Sequence, residues 1–436
     1  MRQPWQTDNK WNHLEAIQAA IMAAADPVEV VRRNLALQTD CLRIGTQDVA
    51  LQEGGRIYLV GIGKAALTMS MAAMAQLGER VYQGVVTCLA GVKTPAFPQL
   101  QFITTGHPLP TEGSLAAGTA IESMLSGTGP QDVVLVLISG GGSAMVELPR
   151  AAIQLDDLQH VNRLLLTSGA PIQEMNRVRR ALSRFKAGGL ARLAAPAQTY
   201  TLILSDVIGD QLSAIASGPT VLRPVSLANA LKVLETYGIA ASIPERVRNV
   251  LTGPEAVHVR ARRPYNRVIG SNKQALQAAA DAACELGFRT RILNARLTGE
   301  AREAGVRIAA GMLKGKGPVC LLMGGETTVS VHGKGKGGRS QELALAAALA
   351  LDGAAHCALM AYATDGIDGP TDSAGARIDG NTVTRIRAAG RNPRADLRAN
   401  DAYHALAAAD ALIYTGPTGT NVNDVIVGLV YATRVE

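Results

Sequence analysis

Three stretches of this 436-residue chain combine residue types that could hold an anion. In YLVGIGKAALTM, Gly61 and Gly63 end a strand-like run and Lys64 opens a helix-like one. Backbone amides at such a turn, backed by the helix dipole, attract negative charge, and Lys64 adds a point charge. Gly61, Gly63 and Ala66 also fit the dinucleotide pattern GxGxxA, but the next strand, GVVTCLAG, brings no acid for a ribose. A tight turn with an exposed lysine is the plain alternative. In VLVLISGGGSAM, a buried-type strand runs into Ser139, Gly140, Gly141, Gly142 and Ser143. Successive glycines can aim several N–H donors at one oxygen cluster. A serine nucleophile is the competing idea, yet the hydrolase elbow GxSxG is not matched. In VHGKGKGGRSQELA, glycines alternate with Lys334 and Lys336 ahead of Arg339 at a helix start. An arginine there can grip an anion with two N–H groups and stabilise charge that spreads during phosphoryl transfer. The loop reads as a mobile flap over phosphates. It is not a P-loop, because GxxxxGK[ST] is missing.

Acids gather at other strand ends. TYTLILSDVIGD closes on Ser205 and Asp206, with Asp210 behind. Asp206 could hold Mg²⁺, act as a general base toward a hydroxyl, or cap the next helix. ATDGIDGPTDSAG carries Asp365, Asp368 and Asp372, suited to hydroxyl or metal–phosphate contacts, or to Asx turns. Glu326 and Thr327 sit just upstream of the glycine–lysine loop. MNRVRRALSRFKAGGLA is a basic helical stretch in which Arg177, Arg179, Arg180 and Arg184 form a solvated face or approach a ligand, with Lys186 at its flexible end. His107, in TTGHPLPTEG, reads first as a loop histidine holding a turn.

These residues need a scaffold. The runs RIYLVGIG, GVVTCLA, LQFITTG, DVVLVLISGGG, TYTLILSD, YNRVIGS, FRTRILN, VCLLMGGE, HCALMAYATDG and ALIYTGP alternate with Ala-rich helical stretches. That alternation predicts an α/β fold with mostly parallel sheets, whose ligands sit beyond the carboxyl ends of the strands. The first ~50 residues carry helical periodicity through WNHLEAIQAAIMAA and VEVVRRNLALQ. Hydrophobic residues make up 47% and aromatics 3%, so Ala/Leu/Val packing is favoured over an aromatic-rich β-sandwich. The net charge of +7 is spread, which suits small acidic substrates and argues against a nucleic-acid face. The five cysteines are far apart, as expected for reduced, buried thiols in a cytoplasmic protein. The N-terminus shows no secretion signal, and no apolar run reaches the ~18 residues of a membrane span. A boundary is expected within LTGPEAVHVRARRP, giving domains at 10–255 and 256–436.

Long motifs within these stretches resemble one family: glycerate 2-kinases with an N-terminal glycerate-kinase domain and a C-terminal MOFRL domain, the latter expected at about 318–428. GIGKAA, TTGHPLPTEGS, LISGGGSAM, NRVRRALSRFKAGGLA, LILSDVIGDQLSAIASGPT, GGETTVSVHGKGKGGRSQELAL, YATDGIDGPTDSAGA and TGPTGTNVNDV carry the resemblance over nearly the whole chain. It implies two Rossmann-like three-layer α/β domains with an interdomain active-site cleft, in a monomer or homodimer. It also implies ATP- and Mg²⁺-dependent phosphorylation of D-glycerate at the 2-hydroxyl. Lys64 and Arg339 become the catalytic candidates, with Asp206 as base or Mg²⁺ ligand. Gly61, Gly63, Ser139, Gly140, Gly141, Gly142, Ser143, Lys186, Glu326, Thr327, Lys336, Asp365 and Asn421 are the binding candidates. The family pattern often has His at 181 and Gly at 187, where this chain has Ala181 and Ala187. Some relatives are labelled hydroxypyruvate reductase, so NAD(P)H-dependent reduction of hydroxypyruvate is the alternative reading. A non-enzymatic anion-binding module is the third.

Overall fold

The computed structural model describes residues 9–254 and 261–432. The reading of the extreme N-terminus and the boundary at 255/256 lie outside the described residues. The chain forms two compact units, Pro27–Ile269 and Gly270 onward, the second of which also holds the N-terminal helix Lys10–Ala25. That helix packs along the helix Asn272–Glu285. His13 explains part of the attachment: its Nδ1 lies 3.1 Å from the Tyr431 hydroxyl and its ring packs edge-on to Phe288.

The unit Pro27–Ile269 is built on a six-stranded sheet. Its order is Leu100–Thr104, Val81–Cys88, Ile57–Ile62, Val133–Ile138, Gln198–Leu204, Tyr265–Gly270. The first five pair in parallel. Numbered along the chain, this is the order 3-2-1-4-5-6 of a dinucleotide-type doubly wound sheet. Ile57–Ile62 and Val133–Ile138 are buried at every residue, as strands covered on both faces must be. Tyr58, Val60 and Ile62 pack with Ala117 and Ile121 of the helix Glu112–Leu125. Gly61 points to the other face, where a Cβ would come within 2.6 Å of Ser70 Oγ on the helix Ala66–Leu77. The result is three layers.

The second unit has its own six-stranded sheet: Arg289–Leu297, Val319–Gly325, Asp424–Val430, Cys357–Ala363, Gly375–Asp379, Leu412–Ile413. Only the first pair is parallel, and the other four are antiparallel. Parallel pairing therefore runs through the first sheet, while the second is mixed. Asp424–Val430 lies antiparallel between Val319–Gly325 and Cys357–Ala363, and Gly375–Asp379 is antiparallel to both of its own neighbours. Leu321 and Met323 pack with Ala304 and Ile308 of the helix Ala301–Leu313, while a Cβ on Gly324 would meet Asn272 on the opposite face.

Helical periodicity held for Lys10–Ala25 and Pro27–Asn34 but not beyond. Leu35–Gln38 is instead a strand, antiparallel to Cys41–Ile44, which pairs with Gln47–Ala50. Cys88, Cys320 and Cys357 are buried, and burial pushes the Cys357 thiol up to about 11. Cys41 is half-buried and Cys284 exposed, contrary to the expectation of uniformly buried thiols. Among the described residues, no helix is long and apolar enough to cross a membrane.

Candidate active site

In a 3-2-1-4-5-6 sheet the connections diverge between strands 1 and 4, leaving a crevice at their carboxyl ends. Those strands are Ile57–Ile62 and Val133–Ile138. The crevice therefore falls where Lys64 and the SGGGS run stand. The two turns are tied together: Lys64 N–H donates to Gly140 O at 2.9 Å and Ala65 N–H to Ser139 Oγ at 2.9 Å. Ser139 is buried and braces the turn. Gly140 has its own reason to be glycine, since a Cβ there would lie 2.0 Å from Asp206 Oδ2. Gly141 has φ +82°, and its missing Cβ leaves room for His107 at 3.0 Å and Lys64 Cγ at 3.2 Å. Lys64 and His107 thus meet at Gly141, and Asp206 at the adjoining Gly140. Lys64 is exposed, and Asp206 is half-buried. The surrounding protein and the Lys64 charge both push the His107 imidazole below its ordinary value, so it is neutral at pH 7.

A cavity of about 210 Å³ opens beside this cluster, lined by His107, Gly141, Ser143, Glu147, Asn162, Arg179 and Lys186 among others. Lys186, expected at a flexible helix end, is buried and paired with Glu147. Glu147 also accepts from the Ser183 hydroxyl. Arg179 donates its Nε–H to Asn162 Oδ1 at 2.7 Å. Ser143 Oγ lies 2.9 Å from Ser217 Oγ. Glu147 and Asn162 are not among the site candidates of the sequence, and Arg179 stands there only within the basic stretch that forms a solvated face or approaches a ligand. The available signal was an acid, Glu147, stranded in the apolar run AMVELP.

Ala187 adopts φ +51° and is buried. Its N–H donates to Ser217 O at 3.1 Å, which holds it there. A left-handed conformation costs an L-residue with a Cβ about 1–2 kcal/mol, and glycine forgoes that cost at the expense of chain entropy. Ala187→Gly is expected to stabilise the protein by about 0.5–1 kcal/mol, read as a higher denaturation midpoint. An unchanged or lower midpoint would mean the strain is absorbed elsewhere.

The second unit gathers another set. Arg339, first residue of the helix Arg339–Ala350, grips Asp424 through Nε at 2.6 Å and Nη2 at 3.0 Å. Its Nη1 donates to Glu326. Burial pushes the Asp424 carboxyl up to about 7 against the pull of Arg339. Asp368 accepts from the amides of Ser340 at 3.1 Å and Gln341 at 2.8 Å, so it caps the same helix. Asp372 accepts from Tyr403. Of the three aspartates in that loop, Asp365 alone faces Asn421, at 3.5 Å. Thr327 is buried behind the exposed Glu326.

The glycine–lysine loop is pinned down. Gly335 N–H donates to Ala399 O at 2.9 Å, Lys336 N–H to Asp401 Oδ1 at 3.0 Å, and Tyr403 N–H returns to Lys336 O at 2.9 Å. A Cβ on Gly335 would lie 2.5 Å from Asp401 Cβ. The glycine there serves close packing rather than the mobility expected of a flap. Lys336 Nζ lies 4.3 Å over the Tyr403 ring.

Among the described residues no three His, Cys, Asp or Glu side chains form a metal cage. Mg²⁺ in phosphoryl-transfer sites needs only one or two carboxylates beside the substrate phosphates and water. Asp206, lying against the Gly140 backbone at the crevice, fits that role as a single ligand.

Comparison with known proteins agrees with the architecture. Residues 13–252 match the family described as "Domain of unknown function (DUF4147)", and residues 319–424 match the MOFRL family. A D-glycerate 2-kinase of Thermotoga maritima is 41% identical over 383 residues, covering 86% of this chain and 91% of that one. The crystal structure of a glycerate kinase from the same organism matches with a TM-score of 0.86 at 38% identity, covering 95% of this chain and 98% of that one. A chain from Agrobacterium vitis, 41% identical over 432 residues and covering 95% and 94%, carries a provisional hydroxypyruvate reductase name.

Proposed function

Because the chain belongs to the glycerate 2-kinase family, with its DUF4147 and MOFRL domains, we propose that it transfers the γ-phosphoryl group of ATP to the 2-hydroxyl of D-glycerate. The observation that carries this reading is the convergence of Lys64, Asp206 and three glycines at the strand 1/strand 4 crevice. A small cavity opens directly beside them. Phosphoryl transfer asks a protein mainly for positioning and for stabilisation of spread negative charge. Lys64 and Arg339 are the proposed sources of positive charge. Asp206 accepts the proton of the attacking hydroxyl or holds Mg²⁺. When bound with ATP, Mg²⁺ would neutralise charge on the phosphate oxygens. The reductase reading draws on the sheet order and the names of two relatives, but the GIGKAA turn carries a lysine and no acid follows on the next strand.

The test is one incubation of the purified protein with D-glycerate, ATP and Mg²⁺, following ADP and identifying the phosphoglycerate by NMR. 2-Phosphoglycerate is expected. 3-Phosphoglycerate would keep the kinase and overturn the position of transfer. No ADP, together with NADH oxidation in the presence of hydroxypyruvate, would make the protein a reductase. In the same assay Asp206→Asn is expected to lower turnover by about 10²–10⁴-fold. An unchanged rate and Mg²⁺ dependence would remove Asp206 from the mechanism.

A further inference from the structure

We propose that the cavity beside Lys64 is the pocket for the acceptor's carboxylate, with Arg179 as the residue that selects a small monocarboxylic 2-hydroxy acid. This rests on the kinase reading and deepens it.

Charge accounting makes the case. Three permanently or readily charged side chains line the cavity: Lys186, Glu147 and Arg179. Lys186 and Glu147 are both buried and paired with each other, so they cancel. His107 at the rim is neutral at pH 7, as derived above. One positive charge remains, on Arg179. Its hydrogen bond among the described residues goes to a neutral amide, Asn162. The one carboxylate at hand, Glu147, is already committed to Lys186 and Ser183. A cation drawn out of water calls for a counter-anion. Arg179 has a planar fork whose terminal nitrogens suit a carboxylate.

Size and placement agree. About 210 Å³ is smaller than the ~300–1,000 Å³ of sites that take drug-sized ligands, and it suits an acid of three or four carbons rather than a nucleotide. Gly141 forms part of the wall and lies against Lys64. An acid anchored on Arg179 would turn its hydroxyl toward Lys64 and leave that lysine for the phosphoryl group. The second carboxylate of a dicarboxylic acid such as tartronate would find no further unpaired cation among the described residues of the cavity lining.

The experiment compares wild type, Arg179→Ala, Arg179→Lys and Asn162→Ala by steady-state kinetics with D-glycerate, tartronate and glycerol as acceptors. For Arg179→Ala the KM for D-glycerate is expected to rise roughly 10²-fold, with the KM for ATP within about threefold. Preference for D-glycerate over neutral glycerol should collapse in parallel. Arg179→Lys should recover part of the loss, and Asn162→Ala should show a weaker form of it. If Arg179→Ala does not fold, the same split between the two KM values in the other two variants carries the test. A folded Arg179→Ala enzyme with an unchanged KM for D-glycerate overturns the assignment. If wild type itself phosphorylates no D-glycerate, the kinase reading fails separately. Calorimetry with D-glycerate alone then decides the pocket: binding lost in Arg179→Ala supports it, while absent or unaltered binding overturns it.

Discussion

Replacing Arg339 by alanine is expected to lower turnover by about 10³-fold while changing ATP affinity far less. The guanidinium has five N–H donors. Two go to Asp424 in a fork-to-fork pair and one to Glu326. Asp424 is 3% exposed and anchors the group, while Glu326 is exposed and can swing away. A phosphoryl oxygen can then take the place of Glu326 on Nη1. Such a pre-set fork meets charge only as it develops, so its loss falls on turnover rather than on binding. Arg339→Lys keeps the charge but loses the fork, and should remain well below wild type. The variant also exposes the cost of burying Asp424. A carboxyl raised from 3.8 to about 7 binds its proton more tightly in the folded state. Its contribution to stability is therefore full below about pH 4 and falls as the pH climbs toward 7. Without Arg339 that fall should steepen, read as a larger drop in denaturation midpoint between acidic and neutral pH. Full activity of Arg339→Ala would end its catalytic assignment.

The elements and their chemistry were legible to different degrees. The strands of the first sheet announce themselves, because RIYLVGIG and DVVLVLISGGG are apolar runs ending in glycine. Local pattern was enough for these two, since Ile57–Ile62 and Val133–Ile138 are buried at every residue. Lys64 and the glycine run could be recognised, and chain order then brings them side by side. Asp424–Val430 was missed, although VIVGLV is as apolar as any other strand. The polar motif TGPTGTNVNDV runs straight into it, and its final Asp and Val residues open that strand. With it went Asp424, the anchor of Arg339. Leu35–Gln38 went the other way: LALQ has helical composition, and pairing with Cys41–Ile44 overrides it. The loop aspartates show why residue type alone falls short. Asp368 caps a helix and Asp372 holds a tyrosine, and only tertiary partners distinguish them from Asp365.

Glu147→Ala is expected to destabilise the protein by about 3–5 kcal/mol, the usual cost of stranding one half of a buried ion pair. Lys186 is buried with this carboxylate as its partner, and Arg179 lies in the same cavity wall. Removing the carboxylate leaves two cations facing each other out of water. Lys186→Met should cost less, because Glu147 keeps the Ser183 hydroxyl and the Leu148 amide at 3.2 Å and can take up a proton. The double variant Glu147→Gln/Lys186→Met removes both charges and fills the same volume. It should recover most of the loss, since replacing a buried pair as a unit is often close to neutral. With Glu147→Gln added as the matching single variant, the denaturation midpoints of wild type, Glu147→Gln, Lys186→Met and the double variant form a cycle that isolates the coupling. The double variant also bears on catalysis, because the cavity's net charge stays at +1 when both partners go. If Arg179 alone holds the carboxylate, the KM for D-glycerate in the double variant should remain close to wild type. A stable double variant with a greatly raised KM would instead make Lys186 part of the anion site. Equal midpoints for wild type and Glu147→Ala would show that the pair contributes nothing to the fold.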